Sequence, residues 1–263
     1  SQAVDRSPVR RERLSGAKAW LAAGWCVGVV LIGALIPYAK LVSDAWYVWP
    51  QARLAELGAA VLRTLGVANL AAGSTLLLAL LFLFAQRHRL SPAWLVRAAN
   101  LGYVVPGAVI ATGVMTAAGA MDRITILPFP LIGGIGLLVY AFAVRFLAVA
   151  GQPLNGAIRQ QSTSLDDAAR MLGATRWQTF RRVNLPLIRP ALLAAAMLVA
   201  IDVVKELPLT LILRPFDFQT LSTSAFELAR IEQLREASLP ALLIVLCAMA
   251  PVLLLDRIAA RGE

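Results

Sequence analysis

The chain has 263 residues, of which 59% are apolar and only 15% are charged, and its formal net charge is +10. Typical soluble domains are roughly 45–50% apolar and about 25% charged, so this composition excludes an ordinary soluble protein and indicates several membrane spans. With one histidine, two cysteines and no G-x-x-x-x-G-K-[ST] motif, the sequence also excludes a site with two histidine ligands, a disulfide framework and a phosphate loop for ATP.

Six segments are long and apolar enough to cross a bilayer core of about 30 Å, which takes about 20 residues of helix. In chain order they cover approximately residues 19–39, 65–85, 98–120, 127–149, 191–213 and 239–255. These runs are too long for barrel strands and do not alternate in polarity. The sequence therefore predicts an all-α membrane protein with six transmembrane helices, in which a basic segment 1–18 precedes one membrane domain at 19–258.

Basic residues are divided unequally between the connecting segments. If the N-terminus is cytoplasmic, the segments on that side contain 16 Lys and Arg residues and those on the other side contain 7. Cytoplasmic loops carry such an excess, so the sequence predicts that both termini face the cytoplasm. The positive charge then indicates contact with anionic membrane lipids and not with nucleic acid.

The longest predicted cytoplasmic loop, 151–190, contains the pattern of a short amphipathic helix. Hydroxyl residues precede acids of a first helical turn, as is typical of a helix start, at Ser162, Ser164, Asp166 and Asp167. One side of this helix is formed by Leu165, Ala168, Ala169 and Leu172. Gly173 suits its end, and a second short helix, Arg176–Val183, is expected to stop before Pro186. The first helix either enters a groove on a partner or lies on the bilayer surface.

The same loop carries a motif with fixed spacing. Asp167-Ala168-Ala169 is followed after three residues by Gly173, and after nine more by Val183-x-Leu185-Pro186. This segment resembles the E-A-A-x3-G-x9-I-x-L-P signature of type I binding-protein-dependent ABC importer permeases, with Asp in place of Glu and Val in place of Ile. The resemblance implies a MetI-like permease domain whose coupling helix docks on an ATP-binding subunit. It assigns this ATPase-coupling role to Asp167, Ala168, Ala169, Gly173, Leu185 and Pro186.

A second resemblance, to the C-terminal half of iron(III) ABC transporter permeases, covers most of the chain from about residue 19. It is carried by Leu101–Gly107, Tyr140–Val149, Asp202–Phe216, Phe218–Thr223 and Phe226–Ala229. The resemblance implies a non-catalytic subunit of the bacterial inner membrane, without a cofactor or bound metal, whose partner hydrolyses ATP. The implied partners are ABC ATP-binding subunits, a periplasmic substrate-binding protein, and a second permease half or an identical subunit. The chain is accordingly expected to be part of a twelve-span permease or a half-size subunit.

Four charged residues lie inside predicted spans, namely Arg145, Asp202, Lys205 and Glu206. A charge at the bilayer centre costs at least about 2.5–3.5 kcal/mol, so these side chains must face protein, water or one another. Under one hypothesis, Asp202 and Glu206 border the path of a cation. The other is a salt-bridge network that orients the fourth and fifth spans, in which Arg145 pairs with Asp202 or Glu206 and Lys205 pairs with the other acid. We favour this network because two cations here would repel a metal ion. Pro208 predicts a local break beside these charges.

The predicted function is that of a permease subunit, or half of one, which forms the translocation pathway of an ABC importer for ferric iron. One alternative is the same architecture with another cargo, such as thiamine, a polyamine or an oxyanion. A second is a secondary transporter driven by an ion gradient. The third, an intramembrane hydrolase, is disfavoured because the chain has a single histidine. On the outer side, residues 220–235 are expected to form a short helix, either for docking of a binding protein or on the lipid surface.

Overall fold

A computed structural model describes the backbone of residues 15–88, 90, 92–124, 131–162 and 164–260. It describes no side chains at 93, 95–97, 100 and 254–260. Most of the predicted basic segment 1–18 and the start of the predicted span 127–149 therefore lie outside the described residues. Several arginines of the predicted cytoplasmic side also have a backbone or a side chain that is not described, namely Arg6, Arg10, Arg11, Arg13, Arg89, Arg97, Arg257 and Arg261.

The described residues form helices and turns, with no β-strand among them. In chain order the helices are α1 (Ala17–Val30), α2 (Ile36–Val48), α3 (Leu54–Arg87), α4 (Ala93–Val104), α5 (Gly107–Ile124), α6 (Ile135–Gln160), α7 (Ser164–Met171), α8 (Arg176–Thr179), α9 (Leu185–Leu187), α10 (Arg189–Val204), α11 (Pro208–Leu213), α12 (Leu221–Arg230) and α13 (Ser238–Ala260). A π-helical turn, Leu31–Leu35, joins α1 to α2, and another, Phe180–Asn184, joins α8 to α9.

Three helical segments are long and apolar enough to cross a membrane, namely Ala17–Gln51, Leu54–Arg87 and Ile135–Gln160. Arg176–Leu187 and Arg189–Lys205, bent by 74° at the residue between them, together form a fourth candidate, and Ser238–Leu253 is a shorter apolar helix. The prediction of an all-helical membrane fold is thus confirmed for the part of the chain that the structure describes. The count of six spans remains a prediction.

Two of the predicted spans are interrupted by prolines. The span 98–120 is divided between α4 and α5 at Val105 and Pro106, and the span 191–213 is divided between α10 and α11 just before Pro208. A proline has no amide hydrogen to donate to the preceding helical turn, and it favours an extended residue before it, as Val105 is. The break that Pro208 predicts is confirmed.

The packed centre of the protein is formed by α3, α6 and α10. Small side chains of α3, including Ala68, Ala71 and Ala72, are buried against larger ones of α6 such as Phe142 and Phe146. Small residues let helix backbones approach closely, which is how helices associate in a membrane. Around this centre, α4 packs on α6, α5 on α11, and α13 on α2, α10 and α12.

The fourth predicted span extends further than the sequence suggested. α6 continues through Pro153 to Gln160, so the first ten residues of the predicted loop 151–190 are helical. A proline inside a helix is unfavourable, but Leu154 and Ile158 of this extension are buried in the core. Their packing holds the last turns of α6 in place and brings the loop close to the end of α3.

Candidate functional site

The segment predicted to be a coupling helix is helical at Ser164–Met171. Gly173 follows with φ of +82°, in the left-handed region that favours glycine. Its amide donates to the carbonyl of Arg170 at 2.9 Å, and the amide of Ala174 donates to the carbonyl of Ala169 at 3.0 Å. These hydrogen bonds cap carbonyl groups that the helix end would leave free. The prediction of a short helix that ends at Gly173 is confirmed.

The surface of α7 is open to solvent and carries large apolar side chains at its end. Met171 and the following Leu172 are each 89% exposed. Asp167 and Ala168 are exposed as well, while Ala169 is half-buried. Apolar side chains this exposed are typical of surfaces that a partner covers.

Asp166 differs from the rest of α7 because its side chain points into the protein. Its Oδ2 lies 2.7 Å from Nε of Arg87 at the end of α3, and its Oδ1 accepts a hydrogen bond of 3.2 Å from Nδ2 of Asn184. The sequence suggested only that Asp166 begins a helix. No local spacing could have found Arg87 and Asn184, since they are 79 and 18 residues away along the chain.

The second part of the motif departs from the prediction. α8 begins with a capping box between Thr175 and Gln178, but the helical path continues through the π turn and Pro186 to Leu187. The predicted stop before Pro186 is therefore wrong. A proline ring normally collides with the carbonyl four residues earlier, and the wider π turn before Pro186 gives the room that a regular α-turn lacks. Leu185 and Pro186 are half-buried, and Leu185 packs against the core.

The four charges that the sequence places inside predicted spans form two pairs. Nε of Arg145 lies 3.6 Å from Oε2 of Glu206, and Nζ of Lys205 lies 2.7 Å from Oδ1 of Asp202. The side chains of Arg145 and Glu206 are 16% and 11% exposed, whereas that of Lys205 is 60% exposed. This is the pairing that the salt-bridge hypothesis describes. Among the residues that the structure describes, no three His, Cys, Asp or Glu side chains converge as metal ligands.

Arg145 also connects the two helix breaks. Its Nη1 donates to the carbonyl of Val105 at 2.8 Å, at the break between α4 and α5, while Glu206 lies at the break between α10 and α11. Gly107, the first residue of α5, allows this approach, because a Cβ there would lie 2.5 Å from Oε1 of Glu206. The start of α5 carries a partial positive charge, which favours the carboxylate. Unwound backbone at membrane depth is tolerated where such contacts satisfy it.

The connection predicted to lie on the outer side is held to the N-terminal third of α3, away from Arg87. The amide of Leu221 donates to Oγ1 of Thr64 at 2.9 Å, and Nη1 of Arg63 donates to the carbonyl of Asp217 at 2.9 Å. The predicted helix over residues 220–235 is shorter than expected, at Leu221–Arg230, and begins with a capping box between Thr220 and Thr223. A cavity of about 800 Å³ with mixed charge opens between α3, α12 and α13.

Residues 75–262 match the family model described as "Binding-protein-dependent transport system inner membrane component". Among curated proteins, the Fe(3+)-transport system permease protein FbpB 2 of Haemophilus influenzae is 32% identical over 123 residues, which are 47% of this chain and 24% of that protein. A Salmonella typhimurium protein, provisionally named 2-aminoethylphosphonate transport system permease protein PhnV, is 26% identical over 170 residues, 64% of this chain and 61% of that protein. The chain thus spans about a quarter of the length of the first relative and under two thirds of the second.

The fold is similar to that of a solved structure as well. A chain in the crystal structure of a bacterial alginate ABC transporter, in complex with an alginate pentasaccharide-bound periplasmic protein, superposes with a TM-score of 0.68. The superposition covers 92% of this chain and 94% of that chain, at 16% sequence identity. At this identity the similarity shows the MetI-like permease fold, which the resemblance of the coupling motif implied.

Proposed function

The chain belongs to the family of binding-protein-dependent transport system inner membrane components, and from this we propose that it forms half of the translocation pathway of an ABC importer. Members of this family are multi-pass proteins of the inner membrane and are not catalytic. The proposed partners are ATP-binding subunits in the cytoplasm, a periplasmic binding protein, and a second permease half or an identical subunit. The observation that carries the proposal is the motif helix α7, ended by a left-handed Gly173 and exposing a face that nothing in the described chain covers.

In the proposed mechanism, ATP-driven closure of the ATPase subunits pushes α7, and the permease spans respond by opening outward. Asp167 and Ala168 lie on the exposed side of α7 and are proposed to contact the ATPase. Gly173 sets the end of the helix, while Ala169, Leu185 and Pro186 join the motif to the body of the protein. Both termini are proposed to be cytoplasmic, as the loop charges predict.

A single bulky charge tests the contact with the ATPase. Ala168→Arg places a long cation on the exposed side of α7, so we expect at least a tenfold loss of ATPase subunits that co-purify with the full chain. Gln160→Arg, at an exposed position at the end of α6, is the matched control and should retain them. Equal co-purification with both variants would contradict the assignment of α7 as the docking helix.

The intramembrane charges are proposed to have two roles. The side chains of Arg145 and Glu206 are only 16% and 11% exposed and bridge the two helix breaks, so Glu206→Gln should lower the yield of assembled complex. Lys205 is 60% exposed at membrane depth, where a charge needs water or a partner chain, and this position fits a pathway between two permease halves. Lys205→Gln is therefore expected to assemble normally and to transport more slowly. Normal assembly of Glu206→Gln with lost uptake would instead place Glu206 on the pathway.

For the cargo, we propose ferric iron. The similarity to FbpB 2 supports it, as does the resemblance of the interrupted fifth span to iron(III) permeases. A second candidate, an oxyanion, is favoured by a groove of about 500 Å³ between α4 and α6. Its polar lining consists of Tyr103, Gln152, Asn155 and Arg159, with no carboxylate among the lining residues.

Uptake by the reconstituted importer distinguishes the two cargos. Proteoliposomes with the complete complex and its binding protein would be supplied with ATP and with either ⁵⁵Fe(III) citrate or radiolabelled 2-aminoethylphosphonate. ATP-dependent accumulation of iron alone supports the first proposal. Accumulation of the phosphonate without iron, lost in the variant Arg159→Gln, would replace it with the second. Uptake that persists without ATPase subunits would indicate a secondary transporter.

A further inference from the structure

The guanidinium group of Arg87 contacts three separate parts of the protein. Arg87 is the last residue of α3, and its Nε forms the ion pair of 2.7 Å with Asp166 of α7. Its Nη1 donates to the carbonyl of Ile158 near the end of α6 at 3.4 Å, and its Nη2 donates to the carbonyl of Ser162 beyond that end at 3.5 Å. One side chain therefore ties the ends of two membrane helices to the predicted coupling helix.

Asn184 extends these contacts to the start of α10. Its side chain, which is fully buried, donates to Asp166, and its backbone carbonyl accepts a hydrogen bond of 3.3 Å from Nε2 of Gln161. Asn184 closes the π turn that leads through α9 into α10. The side chains of Arg87 and Asp166 are only 11% and 7% exposed. Buried charges are tolerated only when paired and hydrogen-bonded, so these groups are expected to keep their mutual geometry when the loop moves.

Apolar packing does not hold α7 in place. All eight residues of α7 are described, and Asp166 is the one among them that is buried. By contrast, the neighbouring elements, α8 and the π turn, pack on the end of α3 through aromatic rings. Phe84 makes edge contacts with Trp177 and Phe180, with ring centroids 5.6 Å and 5.3 Å apart. The second half of the loop thus has an apolar attachment of its own, whereas α7 is attached through a carboxylate.

We propose that Arg87, Asp166 and Asn184 form a joint that transmits movement of α7 to α3, α6 and α10. The joint rests on the proposed function, because it presupposes that an ATPase subunit moves α7. Its three residues are positioning residues: they contact neither nucleotide nor cargo, and they determine whether closure of the ATPase reaches the membrane helices. Substitutions that break the joint are expected to uncouple the complex, so that ATP is hydrolysed while the permease spans no longer respond.

The test compares variants of the full chain in complex with the ATPase subunits. Asp166→Asn removes the charge at constant shape, and Asn184→Ala is a milder change that keeps the ion pair with Arg87. Asp44→Asn is the matched control, since Asp44 pairs with Lys40 on α2, far along the chain from the joint. For each complex, the rate of ATP hydrolysis is measured together with the ATP-dependent change in hydrogen exchange at the amides of α12, on the opposite end of the protein. Neither measurement requires the cargo to be known.

In the wild type and in Asp44→Asn, we expect ATP to change exchange at α12. In Asp166→Asn, hydrolysis should stay within about twofold of the wild type while the change at α12 falls at least fivefold, and Asn184→Ala should give an intermediate loss. If Asp166→Asn fails to assemble, an intermediate loss in Asn184→Ala supports the joint by itself. A wild-type response in Asn184→Ala, or failure of both variants to assemble, would overturn it. An unresponsive wild type, or no bound ATPase, refutes the proposed function instead.

Discussion

Replacing Gly107 with alanine is expected to disturb the contact between the two helix breaks. A Cβ at this position would lie 2.5 Å from Oε1 of Glu206 and 3.1 Å from Nη1 of Arg145. Ordinary contacts of a Cβ begin at about 3.4 Å, so the carboxylate would have to retreat by about 0.9 Å. Glu206 is not free to do so without cost, because its side chain is only 11% exposed and is paired with Arg145.

The expected loss of stability follows from these distances. If the retreat lengthens the 3.6 Å ion pair by the same amount, the Coulomb attraction weakens by about 1 kcal/mol at an effective dielectric constant of about 20. Forcing an extra carbon into a packed interior typically costs about 1–3 kcal/mol in total. We therefore expect Gly107→Ala to lower the free energy of unfolding by about 1–3 kcal/mol, which corresponds to about 2–4 °C in Tm for each kcal/mol in a chain of this size.

The assay is thermal unfolding of the detergent-purified full chain, followed by circular dichroism. Gly113→Ala is the matched control: Gly113 lies on the same helix, where a Cβ meets no atom within 4 Å, and alanine favours a helix by up to about 1 kcal/mol. A second comparison repeats Gly107→Ala in a Glu206→Ala background, where the carboxylate is gone and the additional loss should shrink to what the remaining 3.1 Å contact with Nη1 of Arg145 costs. Equal stability of the two alanine variants, or an undiminished loss in the second background, would refute the argument from close approach.

Three further predictions concern the loop and the topology. Gly173→Ala forces a side chain into the left-handed region, which costs about 1–2 kcal/mol; it should weaken co-purification of the ATPase at least threefold, whereas Gly156→Ala, at a glycine with open space around it, should not. Burial lowers the pKa of His88 below its usual value of about 6.5. Asp166 acts against this shift, whereas the positive charges of Arg176, Arg170 and Arg87 add to it. The folded chain therefore binds a proton at His88 less readily than the unfolded chain, so this residue should make the free energy of unfolding fall as the pH drops below about 6.5. Thermal unfolding at pH 7.5 and at pH 5.5 should accordingly show a smaller decrease in Tm for His88→Asn than for the wild type. Finally, an alkaline phosphatase domain fused to the C-terminus should be inactive in cells, because it folds only outside the cytoplasm; an active fusion would contradict the predicted orientation.

Much of the fold could be predicted because its signals are local. Apolar runs, the hydroxyl and acidic residues before α7, the glycine at its end, and Pro208 each act on the few residues around them, and the structure has helices, a left-handed turn and a break at those positions. The predictions that failed were also local rules, but tertiary packing overrode them. α6 continues beyond the predicted end of the span at 149 and through Pro153, since Leu154 and Ile158 are buried beyond it, and Pro186 is accommodated by a π turn.

The parts of the site that the sequence did not predict depend on distant residues. Arg145 could be recognised as a charge that needs a partner, and Glu206 is one of its two predicted partners. Its hydrogen bond to the carbonyl of Val105 could not be anticipated, because it exists only where α4 ends and α6 passes that end. In the sequence, Arg87 is likewise indistinguishable from other basic residues at a membrane boundary, and its ion pair with Asp166 is visible only in the folded structure. In both cases the informative contact is made to a helix end, which sequence patterns place less accurately than a helix centre.

The length of α3 has a thermodynamic consequence. This helix is unbroken over 34 residues and contacts the predicted outer segment through Thr64 and the predicted coupling loop through Arg87. These two residues are about 35 Å apart along its axis at 1.5 Å per residue, so a tilt of about 5° shifts one end by about 3 Å relative to the other. Linkage between two sites is reciprocal. Suppose that a protein bound at the predicted outer segment tilts α3 and thereby raises the affinity of an ATPase for α7. Binding of that ATPase must then raise the affinity of the chain for the first protein by the same factor.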